Sequence, residues 1–379
     1  MVAVLLRVHF FPGLCLLLLG LGLQFHVLGW LSRRYSQRGW VLTGAWASTI
    51  LLLLGYLLDF QLAQRFLPVG WWTWLECAAL VETMWLIGLS GALLFWRRAP
   101  QFDPARRRML QAAGAAVCAL PLVGTGFGIV RRNDFRVSEV SLPVPHLPKD
   151  LDGLRIVQIT DIHLSEFMSE REFAVAIDMA NEARANLALV TGDLITRRGD
   201  PLDACLRQLA RLRADAGILG CLGNHEVYAD AEDYVTTEGR RIGIDFLRHQ
   251  SKVFRFGNAA INFAGVDYQK MHSRYLVGAD RLIVPGALNI MLSHNPDVYP
   301  VAAALGYDVT IAGHTHGGQV DFEILHQHMN VARYFTPYVR GLYRHEKSSV
   351  YVSSGLGTIG VPVRIGVPPE ISVLRLCAT

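Results

Sequence analysis

"LRIVQITDIHL", residues 154–164, is an unbroken apolar run that stops abruptly at two polar residues, Asp161 and His163. A strand apolar on both faces belongs in the middle of a layered α/β domain, where helices or a second layer cover it. The same figure returns four times. "LALVTGD" (187–193) ends on Asp193, and "GILGCLGNHE" (217–226) on Asn224, His225 and Glu226. "NIMLSHNPD" (289–297) reaches His294, and "YDVTIAGHTHGGQV" (307–320) reaches His314 and His316. Between these runs lie amphipathic stretches such as "EREFAVAIDMANEA" (170–183) and "PLDACLRQLARLRA" (201–214), with the spacing of helices. Strands alternating with such helices predict α/β layers, with helices outside a central sheet.

In an α/β sheet the carboxyl ends of the strands form one rim. The five runs therefore deliver two aspartates, one asparagine and five histidines to one place. Aspartate, imidazole and a neutral amide oxygen suit manganese, iron or zinc better than calcium. There are more donors than one ion takes, so two divalent ions sharing a carboxylate are expected, manganese favoured. Such a pair clamps an oxyanion and lowers the pKa of bound water, which is what phosphoester hydrolysis requires.

The blocks Asp161-x-His163, Gly192-Asp193, Gly223-Asn224-His225-Glu226, His294 and Gly313-His314-x-His316, in this order, resemble the calcineurin-like metallophosphoesterase family over about residues 153–375. The resemblance implies a layered β-sandwich flanked by helices. It implies one ion on Asp161, His163, Asp193 and His316, and a second on Asn224, His294 and His314, with Asp193 shared. A bridging hydroxide would attack phosphorus in line. His225 would stabilise the phosphate or protonate the leaving oxygen, and Glu226 would orient His225. "HTHGGQ" and the closing "GVPVRIGVPPEISVLRL" are similar to a membrane-anchored bacterial branch that includes exported phosphodiesterases and UDP-diacylglucosamine hydrolases of lipid A synthesis. There Arg364 would touch phosphate.

The N-terminal third is a different material. Residues 1–133 carry four apolar runs, Phe10–Leu31, Trp40–Leu58, Trp71–Trp96 and Met109–Val130. Each reaches the roughly 18 to 25 residues that cross a bilayer as a helix. Residues 1–135 hold twelve arginines, no lysine and five acids, a balance of +7 in a chain of net charge +4. The remainder is thus mildly acidic at −3, which argues against nucleic acid as a partner. Arg33, Arg34 and Arg38 follow the first run, and Arg97, Arg98, Arg106, Arg107 and Arg108 follow the third, whereas Arg65 faces Asp59 between the second and third. Positive loops stay inside, so both termini and the C-terminal domain lie outside. Arg131 and Arg132, after the last run, argue the other way. "ARRRMLQ" (105–111) before that run is similar to a twin-arginine export signal, which makes the export machinery a partner and predicts the same outside placement.

Residues 134–152 are proline-bearing and read as a linker, leaving 153–379 as the catalytic domain. The closing "SSVYVSSGLGTIGVPVRIGVPPEISVLRL" reads as antiparallel strands. Six scattered cysteines show no metal or disulfide spacing. The sequence therefore predicts a multi-pass protein of a bacterial inner membrane whose dinuclear site faces out and hydrolyses a phosphodiester or phosphomonoester of the envelope or of a lipid. Two alternatives stand beside it: a UDP-2,3-diacylglucosamine pyrophosphatase facing the cytoplasm, and a membrane scaffold that keeps the fold without turnover.

Overall fold

The computed structural model describes residues 2–34, 39–57, 69–98, 104–270, 273–324 and 327–379; Arg38, Asp59 and Arg65 lie outside these. The chain divides into a helical unit within residues 1–129 and a second unit that begins at Val130.

Four helices account for the first part: α1 (Val2–Arg34), α2 (Gly39–Leu57), α3 (Val69–Arg98) and α4 (Pro104–Arg131). Each contains a window long and apolar enough to cross a membrane: Gly13–Arg33, Gly39–Tyr56, Thr73–Leu94 and Ala112–Arg131. Leu17, Val27, Leu52, Ala79, Leu86 and Leu93 pack inside. Phe25, Trp46, Trp71 and Met84 point outward and are exposed, an arrangement that hydrocarbon favours and water does not. Polar side chains turn inward and pair. Gln24 Nε2 donates to Ala45 O at 2.7 Å and to Thr49 Oγ1 at 3.0 Å, and the Tyr56 and Thr83 hydroxyls lie 2.9 Å apart. Each pairing keeps a polar group away from the apolar surround.

The second unit is built on two six-stranded sheets, the layered sandwich that the resemblance implies. Their strands are β1 (Arg136–Val144), β2 (Arg155–Ile159), β3 (Leu187–Thr191), β4 (Gly217–Cys221), β5 (Ile244–Phe246), β6 (Gln250–Phe256), β7 (Ala259–Gly265), β8 (Leu288–Leu292), β9 (Val309–Ala312), β12 (Gly341–His345), β13 (Ser348–Val352) and β14 (Glu370–Ala378). β10 (Phe322–Ile324) and β11 (Gln327–Met329) form a separate hairpin. The first sheet runs β1-β14-β2-β3-β4-β5 and the second β12-β13-β9-β8-β7-β6.

Strand periodicity divides the core. Ile156, Leu187, Leu189, Leu219 and Leu374 face inward, against Ile261, Phe263, Ile290, Leu292, Val309 and Ile311 of the other sheet. Their neighbours Val157, Ala188, Val190 and Val373 point to the opposite face, under helices. The helix α5 (Glu170–Glu182) shows how that cover forms. Ser169 and Glu172 close a capping box at its start, and Phe173, Ala176, Ile177 and Ala180 make one buried stripe at helical spacing. Burying Phe173 stabilises by about 1.5–3 kcal/mol. On the outer face of the second sheet, Ala264 and Met291 pack under Val298 and Ala302.

Two expectations are corrected here. Residues 136–144, read as part of a linker, form the edge strand β1, paired in parallel with β14 from Arg136↔Glu370 to Val144↔Ala378. Prolines at a sheet edge or strand end cost no ladder hydrogen bond, so the proline-bearing composition did not forbid a strand. The closing segment is not one antiparallel run. β13 pairs in parallel with β9 in the second sheet, whereas β14 lies antiparallel to β2 in the first. Alternation of apolar residues reports burial of one face, not the direction of the partner.

Candidate metal centre

β2, β3 and β4 lie side by side and parallel, and so do β8 and β9. Asp161, His163, Asp193 and Asn224 follow the first three; His294, His314 and His316 follow the other two. The rim is therefore shared by two sheets. Cross-links hold the two ends together: Gln158 Nε2 donates to Ala312 O at 3.0 Å, and His294 Nδ1 meets Thr191 O at 2.6 Å.

Donor atoms of Asp161, His163, Asp193 and His316 lie within 4.8 Å of one another, and so do those of Asp193, His294 and His314. Asp193 belongs to both groups. His163 Nε2 and His316 Nε2 are 3.0 Å apart, and His294 Nε2 is 2.9 Å from Asp193 Oδ2. Nδ1 of His294, His316 and His225 faces the carbonyls of Thr191, Gly357 and Thr196 respectively. A carbonyl only accepts, so Nδ1 carries a proton in each ring and Nε2 is the atom turned to the site. Thr196 Oγ1 lies 3.2 Å from His163 Nδ1.

These residues fit divalent ions. His163 Nε2 and His316 Nε2, 3.0 Å apart, converge with the Asp161 and Asp193 carboxylates on one point where an ion would sit. Asn224 Oδ1 is buried without a hydrogen-bond donor, which costs about 1–3 kcal/mol unless an ion meets it.

Electrostatics reflect the same crowding. Burial, reinforced by His225, lowers His163 to about 3, and burial with His294 lowers His314 to about 4. Burial and then His163 push His316 well down. Burial lifts Asp161 to about 6, with His294 opposing and Asp193 adding. At His294 burial is outweighed by Asp193 and Asp161, and its pKa rises to about 10. Asp193 is held well below the usual carboxylate range by His294 and His225 despite its burial.

The backbone is bent to make this possible. Asp161, His163, Asp193, His314 and His316 all have positive φ, from 48° to 75°. Such strain, about 1–3 kcal/mol per residue, persists only where neighbours enforce it. Two glycines provide the room: a Cβ on Gly192 would come within 2.5 Å of Gly223 N, and one on Gly223 within 2.1 Å of Asp193 Oδ1.

Glu226 departs from its expected role. Its carboxylate takes the backbone N–H groups of Asp193 (2.9 Å), Leu194 (2.7 Å) and Gly223 (2.7 Å). With its oxygens committed to buried amides, it braces the Asp193 loop and does not orient the His225 ring. That ring is held by the Thr196 carbonyl, and Asp200 fixes the turn by accepting from Thr196 N and Arg197 N, both at 2.9 Å. Thr196 and Asp200 occupy no motif position; only their closeness to Asp193 along one loop hints at them. Arg364 is also corrected. It is 1% exposed and donates to the carbonyls of Ser354, Gly355, Gly357 and Val367, so it pins a loop and has no face for phosphate. That loop supports the site: Gly357 N donates to Asp161 O at 2.6 Å and Gly357 O faces His316.

The profile of the calcineurin-like phosphoesterase family matches residues 154–318. The chain is similar to a Danio rerio protein named transmembrane protein with metallophosphoesterase domain, 32% identical over 258 residues, which are 64% of this chain and 57% of that protein. An uncharacterized metallophosphoesterase of Campylobacter jejuni is 30% identical over 246 residues, 63% of each chain. An uncharacterized protein of Bacillus subtilis is 30% identical over 230 residues, 59% of this chain and 81% of that protein. The chain thus spans less than two thirds of the Danio and Campylobacter relatives. The matched stretch begins with the strand before Asp161 and ends in the turn after His316, so every donor of the two clusters falls inside it, and the chain belongs to the calcineurin-like metallophosphoesterase family.

Proposed function

We propose that this protein is a membrane-anchored phosphoesterase that uses two divalent ions, manganese favoured, to hydrolyse phosphodiesters of an envelope or lipid substrate. The observation that carries this reading is Asp193, whose carboxylate belongs to two donor clusters at once. Asp161, His163, Asp193 and His316 would hold one ion, and Asp193, Asn224, His294 and His314 the other. Bound there, the ions would supply positive charge to the phosphoryl oxygens and a water of lowered pKa. The protein's own groups do the rest. His225 has Nδ1–H committed to Thr196 O, so Nε2, 4.0 Å from Asp193 Oδ2, is the atom that carries or receives a proton at the leaving oxygen. Glu226 and Asp200 keep the two loops in place by holding backbone amides.

Placement outside the cytoplasm is supported by the arginines after the first and third spans. The opposing pair is otherwise employed: Arg131 pairs with Asp134 at 2.6 Å, and Arg132 donates to Phe167 O at 3.1 Å. Both act within the second unit, which weakens them as topological signals. The twin-arginine-like motif would then serve as the export address.

The test is turnover by the full chain in proteoliposomes with manganese, on bis-p-nitrophenyl phosphate, p-nitrophenyl phosphate and phospholipids. Diester hydrolysis is expected, and Asp193→Ala should lower it by roughly 10³-fold. No turnover of any ester with both clusters loaded sinks the reading. Alkaline phosphatase fused after residue 135 should be active; an inactive fusion beside an active control places the site in the cytoplasm.

A further inference from the structure

Burial around the two clusters is uneven. Asp161, His163, Asp193, His294 and His316 are at most 3% exposed, whereas His314 is only partly buried. The site therefore opens on the His314 side, where Tyr268 stands, and Tyr228 flanks the site beside His225. Tyr228 sits on the helix α6 (Asn224–Ala229), three residues after His225 and four after Asn224, which puts it on the same face. Its ring stands edge-on to that of His225, centroids 5.4 Å apart at 71°, and the residue is 58% exposed. Tyr268 follows β7. Its ring centroid is 5.7 Å from that of His314 and 6.4 Å from that of His294. No described residue accepts from its hydroxyl.

The two phenols share this space. Burial, then Tyr228 and Asp193, push the Tyr268 hydroxyl up, and burial and Asp193 raise Tyr228. Both remain neutral donors at neutral pH. A large ring left 58% exposed at the mouth of a buried polar site is not explained by packing.

We infer that Tyr228 and Tyr268 are the specificity-determining pair of the site, walling the substituent that remains on phosphorus after a phosphodiester is cleaved. This rests on the phosphoesterase reading above. A diester approaching from the His314 side carries two substituents. One leaves near His225; the other lies against the rings, and a monoester has nothing there. Each ring is then worth about tenfold in kcat/KM on diesters and little on monoesters.

The experiment compares Tyr228→Ala, Tyr268→Ala and the corresponding Phe variants in the full chain reconstituted with manganese. Bis-p-nitrophenyl and p-nitrophenyl phosphate serve as substrates, and bound manganese is counted. The Ala variants should keep two ions and lose about tenfold of the diester-to-monoester ratio, while the Phe variants keep the ratio. If Tyr268→Ala fails to fold, Tyr228→Ala alone decides, because that side chain is mostly exposed. Wild-type turnover with an unchanged ratio in Tyr228→Ala overturns the inference and leaves the function intact. Absence of wild-type turnover strikes the function instead, and calorimetry with diphenyl phosphate then decides. Binding at least tenfold tighter than inorganic phosphate, lost in Tyr228→Ala, supports the wall; equal affinities overturn it.

Discussion

The cluster that joins Asp193 to Asp161, His163 and His316 and the one that joins it to His294 and His314 use similar donors in different surroundings. All four members of the first have positive φ, and none is more than 3% exposed. Their geometry is stored in the backbone and held by amide hydrogen bonds: His163 N to Asp193 O at 3.0 Å, Gly357 N to Asp161 O at 2.6 Å, and three N–H groups on Glu226. In the second cluster His294 keeps an ordinary backbone, and beyond the shared Asp193 only His314 is strained. That cluster is organised by side chains, above all by His294 and Asp193, 2.9 Å apart. The first should thus fail when its backbone supports are cut, and the second when its protons are changed.

The largest expected effect comes from Glu226→Ala. It leaves three buried N–H groups without an acceptor, at about 1–3 kcal/mol each. We expect a loss of at least about 3 kcal/mol in metal-free stability, and weaker manganese binding at the first cluster. Glu226→Gln, with one acceptor oxygen in place of two, should fall between. Unfolding of the full chain in detergent, with and without manganese, measures both. An Ala variant as stable as wild type and binding two ions normally would remove the backbone half of the comparison.

This brace also marks the limit of what the sequence carries. Asp161, His163, Asp193, His294, His314 and His316 were legible because each follows an apolar strand that ends on the rim, and the structure brings their donor atoms together. The α/β layering was legible for the same reason. What Glu226, Thr196 and Arg364 do was not, because a buried carboxylate, hydroxyl or guanidinium can serve a ligand, a phosphate or a backbone amide, and composition does not distinguish these. β1 was hidden because residues 136–144 alternate weakly and carry a proline near the end; only the pairing with β14, more than 200 residues away in sequence, makes them a strand. The helical third shows the reverse. Its four spans are readable from apolar length alone, while inward bonds such as Gln24 to Ala45 depend on which helix faces which.

A smaller effect separates the clusters more finely. Thr196→Val removes the hydroxyl 3.2 Å from His163 Nδ1 and leaves the carbonyl that holds His225. Partners of metal-ligating histidines are typically worth 10–100-fold in affinity. First-cluster manganese should bind about tenfold more weakly, the second cluster should be unchanged, and kcat at saturating manganese should be retained. Equal weakening at both clusters would show that the two are not independently supported.

The finest test is pH. In the first cluster burial keeps His163 and His316 neutral, and Asp161, at about 6, is ionised above pH 7, so an ion displaces no proton there. In the second, His294 retains its proton up to about 10 because Asp193 and Asp161 overcome its burial. In metal-free protein this proton stabilises the fold fully below the ordinary histidine pKa of about 6.5, and the benefit fades as pH rises through about 10. A divalent ion must expel it, so second-cluster affinity should rise about tenfold, or 1.4 kcal/mol, per pH unit across the neutral range, while first-cluster affinity stays level. An ion already in the first cluster draws on the same Asp193 carboxylate, which moves the end of that slope to lower pH without changing its direction. Calorimetric manganese titrations of the full chain at pH 8, in buffers of different ionisation enthalpy, count the protons. About one should leave with the second ion and none with the first, and His294→Gln should abolish the release. Equal counts for both ions would mean that the shared carboxylate, rather than His294, controls proton exchange, and the contrast between a cluster set by backbone and one set by charge would disappear.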